Sequence, residues 1–109
     1  MVDDSVNATM KWLNPITSAN KGSCRVVRMG NVVWVNGFAS FSSTVGANVR
    51  LFDNIPAGYR PSADGYIAGI IYVNSTFIYE KIKITIDGTI SQGATGYLSA
   101  IIFDGFYTI

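Results

Sequence analysis

Residues 55–61 read Ile55-Pro56-Ala57-Gly58-Tyr59-Arg60-Pro61, and this stretch decides how the middle of the chain folds. Proline restricts its own backbone and lacks an amide hydrogen, so two prolines around a glycine hold the chain rigid on either side of one flexible residue. A helix cannot run through such a segment. We therefore predict an ordered, irregular connection that leads into strand-like segments, which end at Ile86-Asp87-Gly88-Thr89-Ile90.

Residues 77–86, between these two motifs, carry the clearest alternation of apolar and polar side chains in the sequence. Ile82, Ile84 and Ile86 are predicted to face a core, while the lysines and the threonine between them face water. No segment keeps the 3.6-residue apolar period of a helix over the roughly 11–18 residues that such a prediction needs. The fold is therefore predicted to be all-β.

A hairpin is predicted before the connection. Residues 23–29 and 32–42 both alternate, and the Gly30-Asn31 dipeptide between them tolerates the positive φ of a tight turn. On the second strand, Trp34 and Phe38 lie on the face opposite to the neighbouring valines, so both faces are apolar. Such a strand is either central in a sandwich or packs its outer face against a neighbouring subunit.

Turn signals divide the rest of the chain into short strands. Asp64, Asp87 and Asp104 each precede a glycine and are predicted to be turn residues, because aspartate bonds locally to the backbone and glycine accepts positive φ. Further strands are predicted at residues 49–52, 64–73, 77–86, 89–91, 97–103 and 106–109. About eight or nine short antiparallel strands predict a β-sandwich or jelly roll.

The 109 residues fit a single domain. The beginning of the chain is polar, with Trp12 and Leu13 the only bulky pair before Pro15. We predict an N-terminal arm or linker remnant over residues 1–22, carrying one short strand, and a β-sandwich head domain over residues 23–109.

The composition indicates a partly covered surface. Charged residues make up only 14% of the chain, against about 25% in typical soluble domains, while hydrophobic residues reach 49%. A small domain has much surface for its volume, so this shortage of charge predicts burial against other subunits. The alternative is a polar but uncharged surface, since serine, threonine and asparagine are abundant.

The sequence argues against several classes of function. The net charge is only +1 and no basic run is present, so nucleic-acid binding is not expected. The acidic start and the absence of a long apolar run predict neither a signal peptide nor a membrane segment. Cys24 is the only cysteine, which excludes an intrachain disulfide; it is either a small apolar residue at a strand start or a reactive thiol.

The sequence contains no histidine, which removes the commonest general base and metal ligand. Neither a phosphate loop nor a zinc or calcium motif is present. We therefore predict no enzymatic activity, no metal and no cofactor. Of the carboxylates outside turns and the predicted arm, only Asp53 and Glu80 remain, and nothing in the sequence brings them together.

Aromatic side chains, 13% of the residues, are the remaining candidates for function. Rings that stack on sugars, together with polar groups that bind hydroxyls, give these candidate saccharide-binding residues: Trp12, Asp53, Tyr59, Arg60, Tyr79 and Glu80. For Tyr59 and Arg60 the alternative is structural, with Tyr59 packed and Arg60 bonded to nearby carbonyl or carboxylate groups. The candidate oligomer-interface residues are Trp34, Phe38, Tyr66 and Tyr72.

Four short motifs between residues 25 and 109 resemble the C-terminal head modules of bacteriophage tail and baseplate proteins. They are Val33-Trp34-Val35-Asn36-Gly37, the proline-bracketed run, the turn Ile86-Asp87-Gly88-Thr89-Ile90 and Phe106-Tyr107-Thr108-Ile109. The resemblance also includes the strand and the Gly30-Asn31 turn that precede them. The resemblance includes the receptor-binding heads of phages that infect Gram-positive bacteria.

The resemblance implies a viral tail protein in the virion, at the tip of a fibre or baseplate arm, assembled as a homotrimer beside other tail proteins. Such heads attach to cell-wall or capsular polysaccharide, which predicts a non-catalytic, carbohydrate-binding receptor module for host adhesion. An alternative is a structural module that trimerises or caps a fibre and has no ligand of its own. A third is a subunit of a depolymerase, which requires an acid pair across a subunit boundary.

Overall fold

A computed structural model describes residues 8–16, 19–92 and 98–109. Their seven strands are β1 (Thr9–Leu13), β2 (Ala19–Met29), β3 (Val32–Val45), β4 (Gly65–Val73), β5 (Thr76–Ile84), β6 (Ile90–Gln92) and β7 (Leu98–Thr108). The all-β prediction is confirmed. Within the described ranges no helix is long and apolar enough to cross a membrane.

All seven strands belong to one curled antiparallel sheet with the order β1-β2-β3-β7-β4-β5-β6. The strand β7 therefore lies in the middle of the sheet, between β3 and β4, although it comes last in the sequence. On either side of it are three consecutive strands joined by short connections or turns. The finer prediction of a two-layer sandwich or jelly roll with eight or nine strands is not confirmed.

The second layer over the core is the β3–β4 connection, which we define as residues 46–64. The inner face of the sheet supplies buried side chains that include Val26, Val33, Val35, Ile82, Ile84, Ile101 and Phe103. From the connection, Leu51, Phe52 and Ile55 are completely buried in the same core. The rings of Phe52 and Phe103 meet edge to face, with centroids 5.7 Å apart. Irregular chain, rather than a second sheet, therefore covers the inner face.

The two sequence motifs that bound residues 55–90 are in direct contact. The Ile55 amide donates a hydrogen bond to the Gly88 carbonyl at 2.9 Å, and the Asn54 side chain donates to the Asp87 carbonyl at 3.1 Å. The Arg60 Nε donates to the Ile55 carbonyl at 2.7 Å. The predicted ordered, irregular connection is confirmed, because the Asp-Gly turn and the proline-bracketed run hold each other in place.

The predicted hairpin at Gly30-Asn31 is confirmed, and a second hairpin turn lies at Asn74-Ser75. Gly30 has a φ of 61° between β2 and β3, and Asn74 and Ser75 have φ values of 50° and 63° between β4 and β5. Residues 49–52 were predicted as a strand, but only an isolated bridge between Phe52 and Pro15 is present. That segment has no continuous strand neighbour because it packs across the inner face of the sheet instead.

Of the three aspartates predicted in turns, only Asp87 is confirmed, where hydrogen bonds from Thr85 and Thr89 lower the pKa of the carboxyl group. Asp64 lies directly before β4, and it accepts its hydrogen bond from a distant segment, the Ile86 amide at 2.9 Å, rather than from the local backbone. The prediction for Asp104 is wrong, because Asp104 lies within β7. Gly105 is required by close packing rather than by a turn. A Cβ on Gly105 would lie 2.8 Å from the Ile67 Cβ, so glycine allows β7 to pass close to that side chain.

The alternation predicted for residues 77–86 is wrong at Ile86. Ile82 and Ile84 are buried as expected, whereas Ile86 is 58% exposed. The strand β5 ends at Ile84, so the residues after it follow the geometry of the turn rather than the pleat of the sheet.

The predicted division at residue 22 falls inside β2, which begins at Ala19. Before it, β1 pairs with β2 from Thr9 to Leu13, and Leu13 is only 4% exposed. The predicted short strand in the arm is therefore present, but it is part of the same sheet and core as the head. Residues 1–7 of the predicted arm lie outside the described residues.

Candidate functional site

The face of the sheet turned away from the core carries large exposed apolar side chains, and we call it the outer face. Strand alternation places them there, on the side opposite to the buried residues of the sheet. The members between 37% and 88% exposed are Met10, Trp12, Met29, Trp34, Phe38, Tyr66, Phe77, Tyr79, Ile102 and Phe106. Single exposed apolar residues are common, but one face with so many is typical of an interaction surface.

Cross-strand pairing arranges the middle of the outer face in rows. In one row Trp34 on β3 lies opposite Phe106 on β7, with ring centroids 6.4 Å apart. In another row Phe38 lies opposite Ile102, and Ile70 on β4 continues that row. These two rows give the outer face two apolar bands across its central strands.

A polar row separates the two apolar bands. The register places Arg25 on β2, Asn36 on β3 and Asp104 on β7 side by side. Trp12 on β1 extends this row, and its ring centroid lies 6.0 Å from the guanidinium carbon of Arg25. The Arg25 Nε is buried and has no hydrogen-bond partner in the described part of the chain. The centre of the outer face therefore carries one positive and one negative charge.

The four residues predicted at an oligomer interface all belong to the outer face. Trp34, Phe38 and Tyr66 are 43%, 44% and 57% exposed. Tyr72 is half-buried, because its ring packs against Phe77 with a centroid distance of 4.7 Å. The structure brings Trp34 and Phe38 together on β3, while the two tyrosines lie on β4. Their role at an interface stays a prediction.

For Tyr59 and Arg60, the structural alternative describes what the side chains do. Tyr59 is 7% exposed and its hydroxyl donates a hydrogen bond to Thr9 Oγ1 at 2.6 Å. Its carbonyl accepts a hydrogen bond from the Tyr107 hydroxyl. The Arg60 guanidinium bonds the Ile55 carbonyl inside the connection. Tyr59 therefore holds the connection against β1 and β7, and Arg60 stabilises the connection internally.

The other four predicted saccharide-binding residues do not meet in one subunit. Trp12 and Tyr79 are both on the outer face, but four strands lie between β1 and β5, which amounts to about 24 Å measured along the curled sheet. Glu80 points to the opposite face from Tyr79, and its Oε1 accepts a hydrogen bond from the Lys81 amide at 2.8 Å. Asp53 lies in the connection, where its carboxylate accepts from the Asn14 amide at 3.3 Å.

The polar row formed by Arg25, Asn36 and Asp104 was not predicted from the sequence. A signal for Asp104 was present, since Ile102, Asp104 and Phe106 continue a period of two through the Asp-Gly pair. Giving that alternation more weight than the turn dipeptide predicts a continuous strand. The pairing of distant strands that aligns Asp104 with Asn36 has no local signal.

Cys24 lies inside the core and not at a reactive site. It is completely buried within β2, and burial raises the pKa of its thiol to about 12. A thiol that keeps its proton is a poor nucleophile and a poor metal ligand. Within residues 8–16, 19–92 and 98–109, no three histidine, cysteine, aspartate or glutamate residues come together as a possible metal site.

The buried thiol predicts that stability falls in alkaline solution. The unfolded chain loses the Cys24 proton near the ordinary pKa of 9.0, whereas the folded chain keeps it up to about 12. This contribution is fully present below pH 9 and is lost as the pH rises towards 12. Between about pH 7 and pH 10.5, we expect Cys24→Ala to lose less free energy of unfolding than the wild type, as measured by urea titration. Equal losses of free energy of unfolding in the two proteins would contradict the raised pKa of Cys24.

Comparisons with known proteins do not place the chain in a family: no protein-family model matches it, and neither does any curated protein.

Proposed function

We propose that the chain is a homotrimeric receptor-binding head of a bacteriophage tail fibre or baseplate, which attaches to a host cell-surface saccharide without catalysis. The observation that supports it is the outer face, on which Trp34, Phe38 and Phe106 are each more than two fifths exposed. Apolar surface of this kind favours association, because its burial releases water. The resemblance of the short motifs to phage head modules is the basis for the proposed virion location and class of receptor.

Two exposed aromatic rings are the best candidates for saccharide contact. Trp12 is 62% exposed and Tyr79 is 88% exposed, and each lies towards one side of the sheet. Because five strand spacings separate them along the sheet of one subunit, a shared site is proposed to need the β1 side of one subunit near the β5 side of another. Attachment is therefore proposed to need the assembled oligomer, with the saccharide bound between subunits.

The second candidate function is a structural module that trimerises or caps a fibre and binds no saccharide. One observation favours it: the six candidate saccharide-binding residues divide among the connection, the inner face of β5 and the two sides of the outer face. Both candidates share self-association and differ only in ligand binding.

Adsorption to cells separates the two functions. We expect the fluorescently labelled wild type to be a trimer by light scattering and to adsorb to a susceptible strain within a panel of Gram-positive bacteria. Removal of wall polysaccharide should abolish adsorption. Trp12→Ala should weaken adsorption at least about tenfold, a loss that matches removal of an aromatic anchor. Ile86→Ala is the matched control, because Ile86 is 58% exposed but lies outside the outer face.

Each other outcome has a definite meaning. A trimer that adsorbs to no strain supports the structural module and overturns receptor binding. Adsorption that persists after polysaccharide removal overturns the saccharide as receptor. A monomer at micromolar concentration overturns both functions.

A further inference from the structure

The centre of the outer face contains two opposite charges without partners inside the subunit. Arg25 and Asp104 are separated by β3, and two strand spacings put their backbones about 10 Å apart. In the described part of the chain, the Arg25 guanidinium lies over the Trp12 ring and its Nε has no hydrogen-bond partner, and the Asp104 carboxylate has neither a hydrogen bond nor an ion pair. Both side chains lie between apolar bands.

A surface that covers this face has to neutralise both charges. Burying an unpaired charge is strongly unfavourable, whereas a paired and hydrogen-bonded charge is tolerated. The covering surface must therefore place a negative group over Arg25 and a positive group over Asp104, about 10 Å apart, with apolar groups on both sides. A second copy of this chain presents these groups at this spacing.

We propose that further copies of this chain cover the outer face, related by a symmetry axis parallel to β3, with Arg25 of one copy paired with Asp104 of the next. This inference rests on the self-association in the proposed function and specifies its arrangement. Rotation about an axis parallel to β3 brings the β2 side of one copy to the β7 side of the next, at the same height along the strands. Arg25 then faces Asp104 across the contact.

The two charges favour an axis parallel to β3 over a two-fold axis perpendicular to the strands. A two-fold axis perpendicular to the strands places Arg25 on its own counterpart, and Asp104 likewise. Like charges brought together in an interface cost several kcal/mol. With the axis parallel to β3, the same relation recurs at every contact of a closed ring, so it holds for the proposed trimer as well as for a dimer.

The same rotation covers the apolar bands. Trp34 and Phe38 on β3 come nearest to the axis and face their own counterparts, which removes two large side chains from water. On the two sides, Phe106 of one copy faces Val27 of the next, because both are paired with Trp34 in the sheet. Charge and apolar surface are thus matched by a single operation.

Charge exchange tests the arrangement. R25E and D104R each give a copy with like charges at both positions, so each is expected to weaken association at least about tenfold. The double variant R25E/D104R reverses both charges and should associate within about threefold of the wild type. Light scattering over a dilution series measures association, and circular dichroism checks that each variant is folded. K11E is the control, since Lys11 is exposed on β1 and lies on the side of that strand opposite to Trp12, away from the outer face.

Mixing the double variant with the wild type tests whether the Arg25–Asp104 contact forms between copies. Every mixed contact places two like charges together, so native mass spectrometry of the mixture should find the two self-assembled species and few mixed ones. Free mixing, or single variants that associate as the wild type does, would overturn the Arg25–Asp104 contact. If the wild type still forms trimers and adsorbs to cells in that case, the proposed function stands and only the arrangement fails.

Discussion

Gly88→Ala is expected to lower the free energy of unfolding by about 3–5 kcal/mol. Gly88 has a φ of 87°, and a Cβ there would lie 2.6 Å from the Ile55 carbonyl oxygen and 2.8 Å from its nitrogen. Both atoms are backbone, so relief of the contact requires the connection to move away from the turn. That movement breaks the hydrogen bond from the Ile55 amide to the Gly88 carbonyl.

Gly30→Ala is the matched control. Gly30 also has a positive φ, 61°, but nothing lies within 4 Å of the position of its Cβ. This variant should lose only the conformational cost of a left-handed alanine, about 1–2 kcal/mol. Urea titrations followed by tryptophan fluorescence measure both variants. Equal losses would mean that contact between the turn and the connection contributes little to stability.

Phe52→Ala is expected to cost about 3–5 kcal/mol, the usual range for removing a buried aromatic ring. Phe52 is completely buried, and its ring meets Phe103 of the central strand β7. The loss is large because Phe52 belongs to the irregular connection, which is the only described layer over the inner face of the sheet. Thermal unfolding should show the midpoint falling by at least about 12 °C.

Phe77→Ala serves as the comparison for Phe52, since Phe77 is 72% exposed on the outer face. Its loss should stay below about 1 kcal/mol when measured on dissociated subunits. If Phe52→Ala unfolds no more easily than Phe77→Ala, the connection does not pack on the sheet as described.

The fold was predictable where the information is local. Gly30-Asn31 specifies its hairpin through turn chemistry, and the alternation at Ile82 and Ile84 specifies which side of β5 is buried. The same local rules were wrong at Asp104-Gly105, where close packing on Ile67, rather than a turn, requires the glycine. Local rules also predicted a strand at residues 49–52. The buried side chains of that segment, Leu51 and Phe52, instead belong to a loop that packs on the core.

The candidate site was less predictable because it depends on which strands are neighbours. The outer position of Trp34 and Phe38 followed from alternation alone. Trp12 and Tyr79 were grouped by residue type, and only the strand order shows that they lie far apart. Tyr59 has the composition of a ligand contact, but its burial and its hydrogen bond to Thr9 come from segments 50 residues apart in sequence.

The position of β7 has a consequence for how the chain folds. Strands β1 to β3 and β4 to β6 each form from neighbours in sequence, but each group keeps an open hydrogen-bonding edge until β7 is inserted between them. The pairs that close the sheet, such as Val32 with Thr108, join distant parts of the chain and carry a high loop-closure entropy. On the ribosome, the sheet cannot be completed before β7 emerges, and until then both edges are open to pairing with other chains.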